Sequence, residues 1–254
     1  MSDALVCAMA REMGRVPMVS VGLATTMPYV AAMVARRVHR PDLKILCVLG
    51  SVIVEDFIPA RLPELELELV RAARSVVDFR TAVEQLLPKE QPLEFLRPAQ
   101  IDAAGNTNNV RVGGRRLPGA AGIPDLTRYH GRIFYYVPRQ RREVFVEKVE
   151  VVSGVGFPRP PKSGPGPRRV YTDLGMYDFE DGRMRLAAIH AGVSGEQVQA
   201  ALGFKPAVAK PVKRIPPPTE AELDAIGRAD PQNLRELECL PRAERLARLR
   251  AIFS

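Results

Sequence analysis

The chain contains no tryptophan, and only three cysteines and three histidines occur among its 254 residues. Cys7, Cys47 and Cys239 are odd in number and far apart, and no C-x-x-C spacing is present. Disulfide frameworks need paired cysteines, and zinc sites need closely spaced cysteine and histidine ligands. We therefore expect neither a disulfide-stabilised fold nor a bound metal ion.

Long apolar runs are missing as well. No stretch of 18 consecutive apolar residues occurs, and residues 1–5 are not the basic segment that opens a secretory signal. A transmembrane helix needs about 20 largely apolar residues. The sequence thus predicts a cytoplasmic protein without a membrane partner.

Three common nucleotide-binding and hydrolase motifs are also absent. The sequence has no G-x-G-x-x-G after a strand, no G-x-x-x-x-G-K-[ST] and no G-x-S-x-G. These motifs build dinucleotide sites, triphosphate sites and the nucleophile turn of serine hydrolases. Their absence argues against all three classes of protein.

The balance of charge is positive, with 37 Lys and Arg residues against 29 Asp and Glu and a net charge of +8. Such an excess favours an anionic partner. Many arginines lie between positions 111 and 142, but aromatic residues do not alternate with them as base stacking would require. We expect no nucleic acid partner. A solvated basic face, a phosphate-bearing small molecule and an acidic partner protein remain open.

Apolar segments indicate an α/β fold. Two continuous apolar segments, residues 16–21 and 43–49, flank a helical pattern over 29–38. This order predicts a βαβ unit in a parallel sheet, whose strands are buried on both faces. Further strand-like segments at 93–96, 109–112, 132–137 and 143–152 predict an open, mostly parallel sheet of six or more strands, with helices on both faces.

The second half of the chain predicts a small antiparallel meander. A proline-rich segment at 158–167 excludes helix and interior strand. Strand-like segments follow at 169–172, 176–179 and 183–189, with a turn before the last. We interpret residues 1–254 as a single α/β domain.

An extension is expected at residues 205–254, where a proline-rich connector leads into helices. Ser194 with Gln197 and Thr219 with Glu222 have the spacing of capping boxes, which mark helix starts. The final segment places its apolar residues on one helical face. That face is expected to dock on the protein body or on a partner.

Two motifs carry the chemistry. In the first, A-Q-I-D-A-A-G-N-T-N over 99–108, Asp102 and Gly105 bracket a tight turn, and Asn106 and Asn108 offer amide groups where a strand resumes. In the second, P-G-A-A-G over 118–122, almost no side chains are present, so backbone N–H groups can hold an anion or a developing oxyanion.

These motifs resemble the β subunits of the family I CoA-transferases, where similar words read G-A-Q-I-D-x-x-G-N-x-N and G-S-G-G-A-N-D. The resemblance runs from about Asp3 to Glu238. It implies the α/β fold of that family, a homologous α subunit in an α2β2 heterotetramer, and an acyl-CoA substrate. No cofactor is implied beyond the CoA moiety of that substrate. Arg97-Pro98 departs from the family, which has Gly-Gly before its A-Q-I-D.

The catalytic glutamate of the family is missing. Counting without gaps from Pro41-Asp42 places it at Val48, with Gly50 matching a family glycine, and a shift of one residue places it at Cys47. Because strand side chains alternate between faces, Cys47 and Val48 cannot both point into the site. Three roles remain open for Cys47: a buried small apolar residue, a pocket-lining residue or a nucleophile. No residue nearby in sequence supplies the base that a nucleophilic thiol usually needs.

The resemblance also suggests which residues contact the substrate. Ala120, Ala121 and Gly122 fall where the family binds the oxyanion, so the N–H groups of Ala121 and Gly122 are expected to form an oxyanion hole, with an ordinary φ at Ala121. Gln100, Asp102, Asn106 and Asn108 are interpreted mainly as scaffolding. The residues expected to contact the CoA moiety are Gly22, Gln100, Asn106, Gly119 and Ala120.

Some members of the family resemble transferases that lost the glutamate. One branch decarboxylates 3-methylglutaconyl-CoA to 3-methylcrotonyl-CoA in alternative isovaleryl-CoA biosynthesis, and another opens a steroid ring by hydrolysis. The neighbourhood of Cys47 favours the decarboxylase, whereas residues 144–154 look like the hydrolase. We expect a cofactor-free decarboxylase subunit. A ring-opening hydrolase subunit and a non-catalytic partner of the α subunit are the alternatives.

Overall fold

The computed structural model describes residues 2–22, 25–48 and 51–253, without the side chain of residue 79. Positions 49 and 50, which the sequence placed at the end of the second strand and at the family glycine, lie outside the described residues. The strands are β1 (Met18–Val21), β2 (Lys44–Cys47), β3 (Val52–Val54), β4 (Ala73–Val76), β5 (Leu93–Leu96), β6 (Gln100–Asp102), β7 (Thr107–Asn108), β8 (Arg111–Val112), β9 (Arg115–Arg116), β10 (Ile133–Val137), β11 (Phe145–Val146), β12 (Val170–Thr172), β13 (Gly175–Glu180), β14 (Arg183–Ile189) and β15 (Ala207–Arg214).

The helices are α1 (Ser2–Met13), α2 (Thr26–Val34), α3 (Leu65–Arg71), α4 (Phe79–Thr81), α5 (Leu87–Glu90), α6 (Ile123–Tyr129), α7 (Gly195–Ala200), α8 (Glu220–Ala229) and α9 (Arg242–Phe253). Wider π turns occur at Ala35–His39 and Ala82–Leu86, and a 3₁₀ turn at Leu234–Glu238. No helix of the described part of the chain is long and apolar enough to cross a membrane.

The chain divides into two compact units, one of Met1–Glu94 with Pro218–Ser254 and one of Phe95–Pro217. In the first unit, β5, β1 and β2 are parallel neighbours, and β3 and β4 continue the sheet antiparallel. β1 is buried along its whole length, and β2 from its second residue onward. The predicted βαβ unit is therefore present, because continuous apolar strands need cover on both faces.

Helices α1, α2 and α8 pack on one another in the first unit. The buried face of α1 includes Leu5, Val6, Met9 and Met13, each at most 1% exposed. By contrast, α9 has no buried residue. The apolar face predicted for this last helix is formed but is left largely open.

The second unit contains the predicted meander. β12, β13 and β14 are antiparallel neighbours, while β10 lies parallel to β12, and β15 parallel to β14. A small separate sheet has the order β11-β6-β7, and β8 pairs with β9 in a hairpin. Tyr135, Tyr177 and Phe145 are fully buried in the core of this unit. The α/β class and the meander are confirmed.

Two strand predictions are correct only in part, and the prediction of a connector without strand at 205–218 is wrong. Residues 143–152 form a strand only at β11. Beyond β11, Val149 N donates to the side-chain Oδ2 of Asp102 at 3.5 Å, a contact that is not part of a strand ladder. Residues 109–112 are in part the first arm of the β8–β9 hairpin. The connector at 205–218 contains β15, whose prediction failed because Pro211 suppresses a strand pattern yet is tolerated in a strand with one open edge.

Candidate functional site

The candidate residues fall in both units. Gly22, Cys47 and Val48 belong to the first unit. The second unit holds Gln100, Asn106, Gly119, Ala120, Ala121 and Gly122. Each group is described within its own unit.

Gly22 and Val48 lie together in the first unit. Gly22 follows β1 and Val48 follows β2, and Val48 N donates a hydrogen bond of 3.0 Å to the carbonyl of Val21. The carboxyl ends of neighbouring parallel strands are where α/β sheets usually bind ligands. The structure thus places Gly22 and Val48 at the edge of the sheet where α/β proteins usually bind ligands.

Cys47 lies on the other face of the sheet from Leu46, because adjacent residues of a strand alternate. Cys47 is 2% exposed, and burial raises the pKa of its thiol to about 12. Burial also raises the pKa of the Tyr29 phenol on α2, with a smaller contribution from Cys47. At neutral pH the Cys47 thiol is protonated and packed close to α2. Its geometry is that of a small apolar residue, and Val48 is the partly exposed member of the pair.

Glu94 is a candidate that the sequence analysis missed. It is only 4% exposed and lies on β5 directly opposite Ser20 of β1. Its Oε1 is 3.7 Å from the position that a Cβ on Gly22 would occupy. Burial raises the pKa of this carboxyl to about 7, against a smaller opposing effect of the Ser20 hydroxyl. The sequence signal was one carboxylate within the apolar strand L-E-F-L.

The A-Q-I-D motif in the second unit forms the predicted turn. The Oδ1 atom of Asp102 accepts hydrogen bonds of 3.0 Å from the backbone N–H groups of Ala104 and Asn106. Gly105 has a φ of 77°, in the left-handed region that favours glycine. A side chain there would meet the ring of Phe179 at 2.7 Å. Asp102 and Gly105 therefore fix the backbone of this turn.

The amides of the same motif are used within the protein. Gln100 Nε2 donates to the carbonyl of Glu143 at 3.2 Å, and Gln100 Oε1 accepts from Asn108 Nδ2 at 3.0 Å. Asn106 Oδ1 accepts from Gly156 N at 2.9 Å. These contacts support the scaffolding interpretation of Gln100 and Asn106 over direct contact with a ligand.

The small-residue loop before α6 differs from expectation. Ala121 has a φ of 47° and Gly119 a φ of 120°, so the ordinary φ predicted at Ala121 is wrong. The cause is the turn closed by the hydrogen bond of 3.0 Å from Ile123 N to Ala120 O, whose first central residue is Ala121. Ala121 and Gly122 are exposed, and among the described residues no acceptor takes their N–H groups.

No cluster of three or more His, Cys, Asp or Glu side chains suitable for a metal ion occurs within residues 2–22, 25–48 and 51–253. No protein-family model matches the chain.

The curated relatives are subunits of a ring-cleaving hydrolase and of CoA-transferases. The chain is 34% identical over 152 residues to the cholesterol ring-cleaving hydrolase IpdB subunit of Mycobacterium tuberculosis, covering 55% of this chain and 60% of that protein, less than two thirds of its length. It is 29% identical over 245 residues to the β subunit of 3-oxoadipate CoA-transferase from Pseudomonas knackmussii, covering 89% and 91%. The β subunit of glutaconate CoA-transferase from Acidaminococcus fermentans is 28% identical over 236 residues, covering 80% and 82%.

Among solved structures, the decarboxylase AibA/AibB matches with a TM-score of 0.80 and 26% identity, over 92% of this chain and 96% of the other. Structures of AibA/AibB variants with one cysteine replaced by alanine, serine, valine or asparagine match as well. The predicted resemblance and the predicted fold are confirmed by these relatives.

Proposed function

Because this chain is similar over most of its length to β subunits of CoA-transferases, we propose that it is the β subunit of a heteromeric acyl-CoA decarboxylase. The substrate proposed is 3-methylglutaconyl-CoA, the product is 3-methylcrotonyl-CoA, and no cofactor takes part beyond the CoA moiety. The partner is a homologous α subunit, in an α2β2 heterotetramer.

The observation that carries the proposal is the pair Cys47 and Val48. Transfer of CoA in this family needs a carboxylate that attacks the thioester, and neither residue can supply one. Cys47 is also a poor substitute, because nucleophilic attack needs the thiolate and this thiol is protonated and buried. The similarity to the decarboxylase AibA/AibB, which was also solved with its cysteine replaced, supports decarboxylation over CoA transfer.

Decarboxylation needs no nucleophile. In 3-methylglutaconyl-CoA the leaving carboxylate is attached to the γ carbon of an α,β-unsaturated thioester. As CO₂ departs, the electron pair of the broken C–C bond passes through the conjugated double bond to the thioester oxygen. The task of the enzyme is to stabilise the resulting dienolate. We assign this role to the exposed N–H groups of Ala121 and Gly122, whose loop holds them away from other acceptors of the described chain.

A steroid-ring hydrolase subunit is the second candidate. The 34% identity to the IpdB subunit favours it. The IpdAB structure matches over 93% of this chain with a TM-score of 0.75, against 92% and 0.80 for AibA/AibB, so the TM-score alone favours the decarboxylase. Under this alternative the chain completes a site whose working carboxylate comes from the α subunit.

The experiment is product analysis by mass spectrometry on the complex of this chain with its α subunit. Three substrates separate the reactions: 3-methylglutaconyl-CoA alone, glutaconyl-CoA with free acetate, and a CoA thioester that carries a steroid ring. The proposal predicts loss of CO₂ from the first. If 3-methylglutaconyl-CoA releases no CO₂, acetyl-CoA formed from glutaconyl-CoA and acetate would replace the proposal with CoA transfer. A ring-opened product from the steroid thioester would replace it with ring hydrolysis.

A further inference from the structure

Glu94 is buried where a carboxylate is costly. Its strand, β5, is otherwise apolar at Leu93, Phe95 and Leu96, and Glu94 is 4% exposed. Burying a charge without a partner is unfavourable, and the group responds by holding its proton. Apart from burial, only the Ser20 hydroxyl shifts its pKa among the described residues, so no cation offsets the cost.

The carboxyl lies close to the position that a side chain on Gly22 would occupy. A Cβ on Gly22 would stand 3.7 Å from Glu94 Oε1 and 3.8 Å from the hydroxyl oxygen of Thr25, and no other described side chain comes closer. The Thr25 hydroxyl donates to the Gly22 carbonyl at 2.7 Å, which fixes its position. Because residue 22 has no side chain, a space the size of a Cβ atom is left beside the Glu94 carboxyl at the end of β1, and the Thr25 Cγ2 methyl borders it at 4.0 Å.

A second buried carboxylate of this unit shows the contrast. Glu238 Oε1 accepts a hydrogen bond of 2.7 Å from the backbone N–H of Met27, in the first turn of α2. Glu238 is therefore used to hold that helix start. No comparable backbone contact to the Glu94 side chain occurs among the described residues, so a structural role does not account for it in the same way.

We propose that Glu94 is the acid of the reaction and contacts the bound acyl group beside Gly22. This inference rests on the proposed function, because it assigns the proton that decarboxylation consumes. As CO₂ leaves, the C–C electron pair enters the dienolate. Glu94 then gives its proton to the carbon that lost CO₂, the electron pair of the dienolate forms the new C–H bond, and the thioester carbonyl is restored. The Glu94 carboxylate is reprotonated from water before the next turnover.

The test compares Glu94→Gln with Glu55→Gln in the complex with the α subunit. Glu55 is partly exposed, near Lys44 at 4.0 Å, and serves as the matched carboxylate outside the site. We expect CO₂ release by Glu94→Gln to fall by about 10²-fold or more, the usual effect of removing a general acid, with little change in KM. Glu55→Gln should match the wild type. Release within about threefold of wild type by a folded, assembled Glu94→Gln complex would overturn the proposal.

Infrared difference spectra supply a readout that does not depend on turnover. The wild-type complex at pH 6 should show a protonated-carboxyl band that Glu94→Gln lacks, and crotonyl-CoA should shift it. A band that crotonyl-CoA does not move would overturn the contact between Glu94 and the acyl group. If the wild type releases no CO₂, the proposed function fails with the protonation step, and this band still decides the contact separately.

Discussion

Arg11 on α1 and Glu222 on α8, 211 positions apart, form two hydrogen bonds, of 2.7 Å from Nε and 2.6 Å from Nη2. Glu222 is fully buried and also accepts from the backbone N–H of Thr219 at 2.8 Å. Burial alone would raise the pKa of this carboxyl, but the bonds from Arg11 and Thr219 outweigh it and lower the pKa to about 2. The pair therefore fastens the C-terminal part of the first unit to its first helix.

Glu222→Gln should destabilise the chain. The folded-state pKa lies below the unfolded value of 4.5, so the contribution is present above pH 4.5 and is lost as the pH falls toward 2. We expect a loss of about 3 kcal/mol at pH 7, in line with the breaking of a buried ion pair. Urea unfolding measures it, with the exposed Glu220→Gln as control. Equal unfolding midpoints for both variants at pH 7 would contradict this assignment.

Glu94→Gln should show the opposite dependence on pH. The folded-state pKa of about 7 lies above the unfolded value of 4.5, so the wild type loses stability as the pH rises from 4.5 to 7. The variant does not ionise. Its free energy of unfolding relative to wild type should thus rise by about 3 kcal/mol between pH 4 and pH 8. Urea titrations at both pH values test this, and a constant difference would show that the carboxyl ionises normally.

Cys47 should resist alkylation in the native protein. Its pKa of about 12 and its burial leave almost no accessible thiolate at pH 8. Peptide mapping after iodoacetamide treatment should find Cys47 unmodified in the native chain and modified in urea. Rapid labelling of the native chain would revive the nucleophile interpretation.

Ala121→Gly should not destabilise the protein, whereas Ala120→Gly should. Ala121 has a φ of 47°, a conformation that costs an alanine about 1 kcal/mol more than a glycine. Ala121→Gly is therefore expected to keep or raise stability, by up to about 1 kcal/mol, and to keep decarboxylase activity. Ala120→Gly, at a position without positive φ, should cost about 0.5–1 kcal/mol from chain entropy. Thermal unfolding of the two variants provides the comparison, and the reverse order would contradict the strained turn.

The features that were predicted correctly from the sequence are those that depend on a local pattern of residues. Apolar runs at 16–21 and 43–49 indicated the parallel strands, and the spacing of Ser194 with Gln197 indicated a capping box that the structure contains. Strand β15 was missed because its pairing with β14 is a tertiary contact that outweighs the effect of Pro211. Local sequence does not encode such pairings.

The site shows the same limit. Whether Cys47 or Val48 is accessible depends on register with Val21, which one-dimensional alternation leaves open. The importance of Glu94 depends on its pairing with Ser20 and on the space over Gly22, and both arise only when β5 and β1 are neighbours. The φ of Ala121 depends on how the turn meets α6.

The most direct test of the central claim uses 3-methylglutaconyl-CoA labelled in its free carboxylate and the complex with the α subunit, in the absence of any acceptor acid. The account predicts labelled CO₂ and 3-methylcrotonyl-CoA in equal amounts, with the thioester intact. No labelled CO₂ from this complex, together with movement of CoA to a free acid once one is added, would contradict it.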